Sequence, residues 1–354
     1  HVAGIAVGNN GKLFGVAKES DILAIQVFSM FGKKYCGESP CVATWTSDVL
    51  KGLEAVYALR QTLSIASVNM SLGGGEYTEY CYTETLKPVI DNLRVAGIAT
   101  VVATGNDGFC NAVGAPSCIP SALAIGASDD FDEEASFSNW NTELQDLFAP
   151  GVGIYASTGE TNSSYASWSG TSMATPHVTG AVALMRQANS NASVSDIFTA
   201  LAGTGTSIFS KCNAFVSKPR INVDQAIQAL EATPTAFVSA NGHYDYLILE
   251  EGQPLTLEVM VKPGDLSGIQ ADFWVLAQSP SLLEMWYSFV YPDGWQEGVR
   301  LGFQGPLRAS GPFSVLEDRA FPPGVYTFSF ALDEPDGELQ MTHADSIQVE
   351  VVPR

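Results

Sequence analysis

The chain has 354 residues, 46% of them apolar and 16% charged. That length allows two domains, and that composition is too apolar for a disordered chain. The net charge of −21 repels phosphate backbones, which sets nucleic acid aside as a partner, and no stretch approaches the ~18–20 uncharged apolar residues of a membrane-spanning helix.

Short apolar runs at 21–28 (DILAIQVF), 64–72 (SIASVNMSL), 97–104 (GIATVVAT) and 122–126 (ALAIG) predict strands buried on both faces of a parallel sheet. Helical patterns at 46–62 and 84–95 lie between them. The first places Val49, Leu53, Val56 and Leu59 on one face. Two more follow at 171–188 and 195–202. Strands alternating with helices predict βαβ units. After residue 231 the pattern changes. Strand signals at 245–249, 255–261, 272–276, 325–332 and 346–352 alternate with the turn sequences EGQP, PGD, PDG and PPG. Such short strands predict a small all-β sandwich. The linker reading of ATPT at 232–235 sets two expected domains, 1–232 and 233–354.

All six cysteines precede residue 213, and none lies in a CxxC pair. An even count within loops predicts disulfides and an oxidising compartment rather than zinc. Proximity pairs Cys36 with Cys41 and Cys110 with Cys118, which leaves Cys81 for Cys212. No charged and apolar leader of a signal peptide is visible.

The segment GTSMATPHVTGAVAL at 170–184 carries the strongest chemical signal. Ser172 stands where a Ser/Gly-rich loop meets a helix, whose N-terminus offers free N–H groups to a developing oxyanion. Pro176 is expected in the first turn, and Gly180 is expected to bring the helix close to the sheet. Two further segments join it: HVAGIAV at 1–7 and VVATGNDG at 101–108. They supply a base, His1, and an amide donor, Asn106, ahead of the nucleophile.

Together these three segments resemble the subtilisin-like serine proteases, the subtilase family, over roughly residues 1–231. The resemblance implies a three-layer α/β catalytic domain with a parallel sheet, followed here by the β-sandwich. It implies peptide-bond hydrolysis through an acyl-enzyme. Ser172 would be the nucleophile and His1 the general base, with Asn106 as oxyanion donor. It assigns Ser71, Leu72 and Gly73 to one wall of the substrate site, Ala103, Thr104 and Gly105 to the other, and Gly114 near the floor. These small and apolar residues predict a pocket for apolar side chains. His177 would be structural, and His243 and His343 read as surface residues. The family often binds calcium, and Asp129, Asp130, Asp132, Glu133 and Glu134 offer oxygen ligands, though the run reads first as a solvated loop. No cofactor is required for the chemistry. Expected partners are polypeptide substrates, for a secreted monomer with a propeptide in its precursor. The family order of Asp, His, Ser places the triad aspartate upstream of His1. The chain therefore reads as a C-terminal portion of a longer protein, weakly active or inactive alone.

Two other readings remain. A degenerate protease fold serving as a binding or adhesion protein would bind its target without Ser172. An esterase of α/β-hydrolase type needs G-x-S-x-G with its histidine after the serine, and GTSMA with His1 first does not supply that.

Overall fold

The computed structural model describes all residues except 160, 162, 191, 233, 243–245, 279–285 and 354. His243 and the first residue of the strand expected at 245–249 therefore lie outside the described residues.

The strand Ser67–Met70 shows how sequence alternation places the first layers. Successive side chains of a strand point to opposite faces. Val68, Met70 and Leu72 join an apolar cluster with Val49, Leu53, Val56, Val89, Ile90 and Leu93. These last residues come from the helices Thr46–Leu59 and Lys87–Val95. On the other face the polar residues meet the helix Thr171–Ala188. Ser67 Oγ donates to Thr179 O at 3.1 Å, and Thr179 Oγ1 donates to Asn69 Oδ1 at 3.0 Å. Helices thus cover both faces of one sheet.

That sheet has six strands, in the spatial order Thr206–Phe209, Ser217–Arg220, Leu147–Pro150, Leu123–Ser128, Ala99–Ala103, Ser67–Met70. All neighbours are parallel except the first pair. The central strands Ala99–Ala103 and Leu123–Ser128 are buried at every position, as parallel strands under helices must be. Thr171–Ala188 crosses four of the six strands and buries ten residues.

The run at 21–28 departs from expectation. Most of its apolar residues are open to solvent, Ile22 at 55% and Leu23 at 49%. Among the described residues no strand pairs with 21–27, and Ser67–Met70 forms the edge of the sheet. Composition suits a buried strand, but among the described residues none pairs with it, and Val27 packs against the helix-side core only in part. Phe28–Phe31 instead pairs antiparallel with Cys41–Thr44, in a hairpin closed by Cys36–Cys41.

The other two disulfides correct the proximity reading. They are Cys81–Cys118 and Cys110–Cys212. The strand Val113–Ala115 pairs antiparallel with Gly74–Tyr77. That pairing carries Cys118 back beside Cys81, where Cys81 N–H donates to Cys118 O at 3.1 Å. Cys110 is then left for Cys212.

By contact clustering the chain divides into two compact units, 1–190 with 194–227, and 191–193 with 228–354. In the second, Thr235–Ala240, Leu255–Lys262 and Ser310–Arg319 form one antiparallel sheet. A second sheet of seven strands contains Gln270–Gln278, Gly324–Asp333 and His343–Val352. Val238 and Val259 of the first share a buried cluster with Phe328, Ile347 and Val349 of the second. Every second residue of Leu255–Lys262 is buried, the pattern of a sandwich strand with one face inward. His343 opens its strand half-buried.

Candidate active site

Ser172 is the second residue of the helix Thr171–Ala188. Gly170 precedes it with φ of 156°, and its N–H donates to Gly151 O at 2.8 Å. Thr171, fully buried, ties this start to the loop after Ala99–Ala103. Asn106 Oδ1 accepts from Thr171 N–H at 2.8 Å and from Thr171 Oγ1 at 3.1 Å. Thr171 Oγ1 in turn accepts from Gly105 N–H at 3.3 Å. With its oxygen held, Asn106 keeps its Nδ2 donors. Among the described residues neither Nδ2 nor the Ser172 backbone N–H has a hydrogen-bond partner. Two donors therefore stand at one helix N-terminus, as a developing oxyanion requires. The helix motif contains Thr171, but sequence reasoning gave it no role.

Pro176 sits in the second turn, inside the helix, not in the first. It has no N–H to donate to the carbonyl four residues earlier, which belongs to Ser172. Ser71 supplies that bond: its Oγ donates to Ser172 O at 2.8 Å and accepts from Asn69 Nδ2 at 3.0 Å. Ser172 Oγ donates to Ser71 O at 3.5 Å. The polar face of the strand at 67–71 thus fixes the serine from below.

Gly114 joins the two expected walls. Its N–H donates to Thr104 O at 2.8 Å. A Cβ on it would meet Gly74 N at 3.2 Å, and one on Gly73 would meet Ala115 O at 2.6 Å. Ala103 and Thr104 are buried, and Leu72 packs against the core beside the helices. Thr104, fully buried, turns its hydroxyl inward to Ile125 O and Asn139 O.

His1 occupies the N-cap position of the helix Val2–Val7 without a side-chain capping bond and stacks on Trp168, with ring centroids 4.4 Å apart at 14°. Its Nε2–H donates to Ala166 O at 3.0 Å. Its Nδ1 is buried with no partner. Among the described residues no hydrogen bond joins His1 to Ser172. The structure thus brings Asn106 and Ser71 to the serine and leaves the imidazole bonded to the adjoining strand Tyr165–Trp168. Gly180 packs against Ala6 and Val16, not the sheet: a Cβ there would lie 3.0 Å from Ala6 O and 2.7 Å from Val16 Cβ. His177 Nδ1–H donates to Met173 O at 2.9 Å, and burial lowers the pKa of its ring.

Three side chains of the acidic run have protein partners. Asp129 Oδ1 accepts from Phe131 and Glu133 N–H, Asp132 pairs with Arg220, and Glu134 pairs with Lys211. Among the described residues no three metal-ligating side chains converge.

The class follows from the sheet and its covering helices: a subtilisin-like α/β fold with an additional β-rich region. Residues 1–216 match the subtilase family, peptidase S8, and the chain belongs to that family. Subtilisin DY of Bacillus licheniformis is 35% identical over 233 residues, which cover 64% of this chain and 76% of that protein. A cuticle-degrading serine protease of Arthrobotrys oligospora is 34% identical over 209 residues, 58% of this chain and 46% of its own length. The prenylagaramide maturation protease PagA superposes with a TM-score of 0.53 at 26% identity, over 65% of this chain and 80% of that one. These relatives support a serine peptidase. The chain spans less than half of the cuticle-degrading relative it matches. No helix among the described residues is long and apolar enough to cross a membrane.

Proposed function

We propose that the chain carries the nucleophile, base and oxyanion donor of a secreted serine endopeptidase. Ser172 Oγ attacks the peptide carbonyl, and His1 takes the proton and returns it to the leaving amine. The Asn106 amide and the Ser172 N–H hold the oxyanion. The observation that carries this reading is the helix start itself, where Thr171 turns Asn106 so that its Nδ2 and the serine N–H remain available. Ser71, Leu72 and Gly73 would pair with extended substrate opposite Ala103, Thr104 and Gly105. Small residues there favour an apolar side chain.

The imidazole needs two changes to act. Nε2 is a donor to Ala166, so the neutral ring offers its lone pair only at Nδ1. A carboxylate at Nδ1 would hold a proton there and free Nε2 for Ser172. The buried, unpartnered Nδ1 supports such a partner. Without it turnover is expected to fall by ~10⁴. We propose the region beyond residue 232 as an accessory domain.

A fluorophosphonate probe tests the reading on the 354-residue protein. Slow labelling is expected, lost in Ser172→Ala and slowed ~10²–10³-fold in Asn106→Ala. Absence of labelling would favour a binding protein on a protease fold. The His1–Ala166 bond is the observation on that side.

A further inference from the structure

Three segments meet behind Asn106 and fasten one another. The first is the turn 104–110, the second the loop 134–140, the third 210–212. Asn139, fully buried, joins the first two. Its Oδ1 accepts from Asp107 N–H at 2.9 Å and Phe109 N–H at 3.2 Å. Its Nδ2 donates to Thr104 O at 3.0 Å and Asp107 Oδ2 at 3.3 Å. Its backbone N–H donates to Gly105 O at 3.0 Å. One side chain therefore uses all its hydrogen-bonding capacity on residues flanking Asn106, without touching Asn106 itself.

Lys211 joins the second segment to the third. Its ammonium donates to Ser136 O at 3.0 Å, Ser138 O at 2.5 Å and Ala135 O at 3.3 Å, and lies 3.2 Å from Glu134 Oε1. Glu134 is buried, with its side chain 1% exposed. Three carbonyls and a buried carboxylate converging on one cation is the arrangement a structural metal ion adopts, and here an ammonium fills it. Cys212, the next residue, is bonded to Cys110 at the end of the turn. The circuit closes: turn to loop through Asn139, loop to Lys211 through the ammonium, and back to the turn through the disulfide.

We propose that Asn139 is a positioning residue for the oxyanion donor, and that the Lys211 ammonium is the internal cation that holds Asn139's loop in place. The inference rests on Asn106 being that donor. An oxyanion donor must be fixed before the charge develops, because a donor that has to be reoriented during the reaction stabilises it less. The bond from Thr171 fixes the Asn106 side chain from the front. Asn139 and Lys211 fix its backbone from behind.

Fluorophosphonate labelling rates of the whole chain test this in two backgrounds. Asn139→Ser and Lys211→Met each lose the bonds described, and Lys211→Met keeps the alkyl stem at a partly exposed position. Each is expected to slow labelling ~10-fold or more when Asn106 is present. Each is expected to change it by less than ~2-fold when Asn106 is already Ala, because residues acting through one group are not additive. A purely structural role would slow both backgrounds alike, and that result overturns the proposal. So does an unchanged rate in Lys211→Met, whose folding is read by circular dichroism, even where Asn139→Ser fails to fold. If Asn106→Ala labels as fast as the parent, or the parent does not label, the donor reading itself falls and this inference with it. A slowed Asn106→Ala beside a normal Lys211→Met overturns the inference alone.

Discussion

Pro176 and Ser71 form a pair that neither residue explains alone. Proline removes an intrahelical donor, and the carbonyl it leaves belongs to the candidate nucleophile. The Ser71 hydroxyl supplies the replacement bond. Ser71→Ala should leave that carbonyl without a partner, at a cost of about 1–3 kcal/mol. A thermal melt checks this, and an unchanged Tm would mean that water replaces the hydroxyl at no cost. Gly105 is constrained twice. Its φ of 107° disfavours a side chain, and a Cβ would lie 2.4 Å from Asn139 Nδ2. Gly105→Ala should cost about 2 kcal/mol or more, from the backbone alone and from pushing Asn139 away. The same melt reads the loss, and fluorophosphonate labelling should slow with it.

At the scale of elements, the helix Thr171–Ala188 is the post to which the site is tied. It presents Thr179 to the strand Ser67–Met70 and a glycine to the helix Val2–Val7. Because Gly180 touches Ala6 and Val16, its size sets how near the first helix lies, and His1 stands at that helix's N-cap. Gly180→Ala overpacks this contact and is expected to cost about 1–3 kcal/mol. Denaturant unfolding measures the loss. A variant as stable as the parent would show that the first helix moves freely. The expected strand at 21–28 fails at this same scale. Its residues have the right chemistry, but among the described residues the sheet edge has no strand to share with them.

For the whole molecule, charge and covalent closure decide the response to conditions. Burial raises the Asp146 carboxyl from its ordinary 3.8 to about 6, against a 2.7 Å bond from Ala124 N–H and the nearby Lys218 and Arg94. The fold favours the protonated form. As pH rises from about 4 through 6 the fold must take up a buried charge that the unfolded chain carries freely, so this group's contribution becomes unfavourable. Asp146→Asn keeps an acceptor and loses the charge. Its Tm relative to the parent should rise between pH 4 and 6.5 and then level off; a difference independent of pH would show that Asp146 does not titrate there. The disulfides span separations of 5, 37 and 102 residues. Loop-closure entropy ranks their stabilisation at about 2, 4 and 5 kcal/mol. Replacing Cys36 and Cys41 with serine should therefore lower Tm least, and replacing Cys110 and Cys212 most.

Some of this was readable in the sequence because it depends on neighbours along the chain. The bounds of the helix at 171–188 follow from a glycine before it and an apolar period within it, and the structure has the same bounds. The runs at 64–72 and 97–104 contain strands, that at 122–126 overlaps the strand Leu123–Ser128, and the alternation of 255–261 recurs as alternate burial. The family itself could be read from three short segments, since a serine at a helix start, an asparagine at a strand end and a histidine before a helix are local patterns. What depends on where the chain returns could not be read. Cys118 meets Cys81 only because one strand pairs with another. Pro176 matters through Ser71, 105 residues away in sequence. Asn139 and Lys211 reach the turn that carries Asn106 only through contacts that the folded backbone creates. Local preferences decide which elements form, whereas the partners of each buried polar group are fixed by packing across the whole chain.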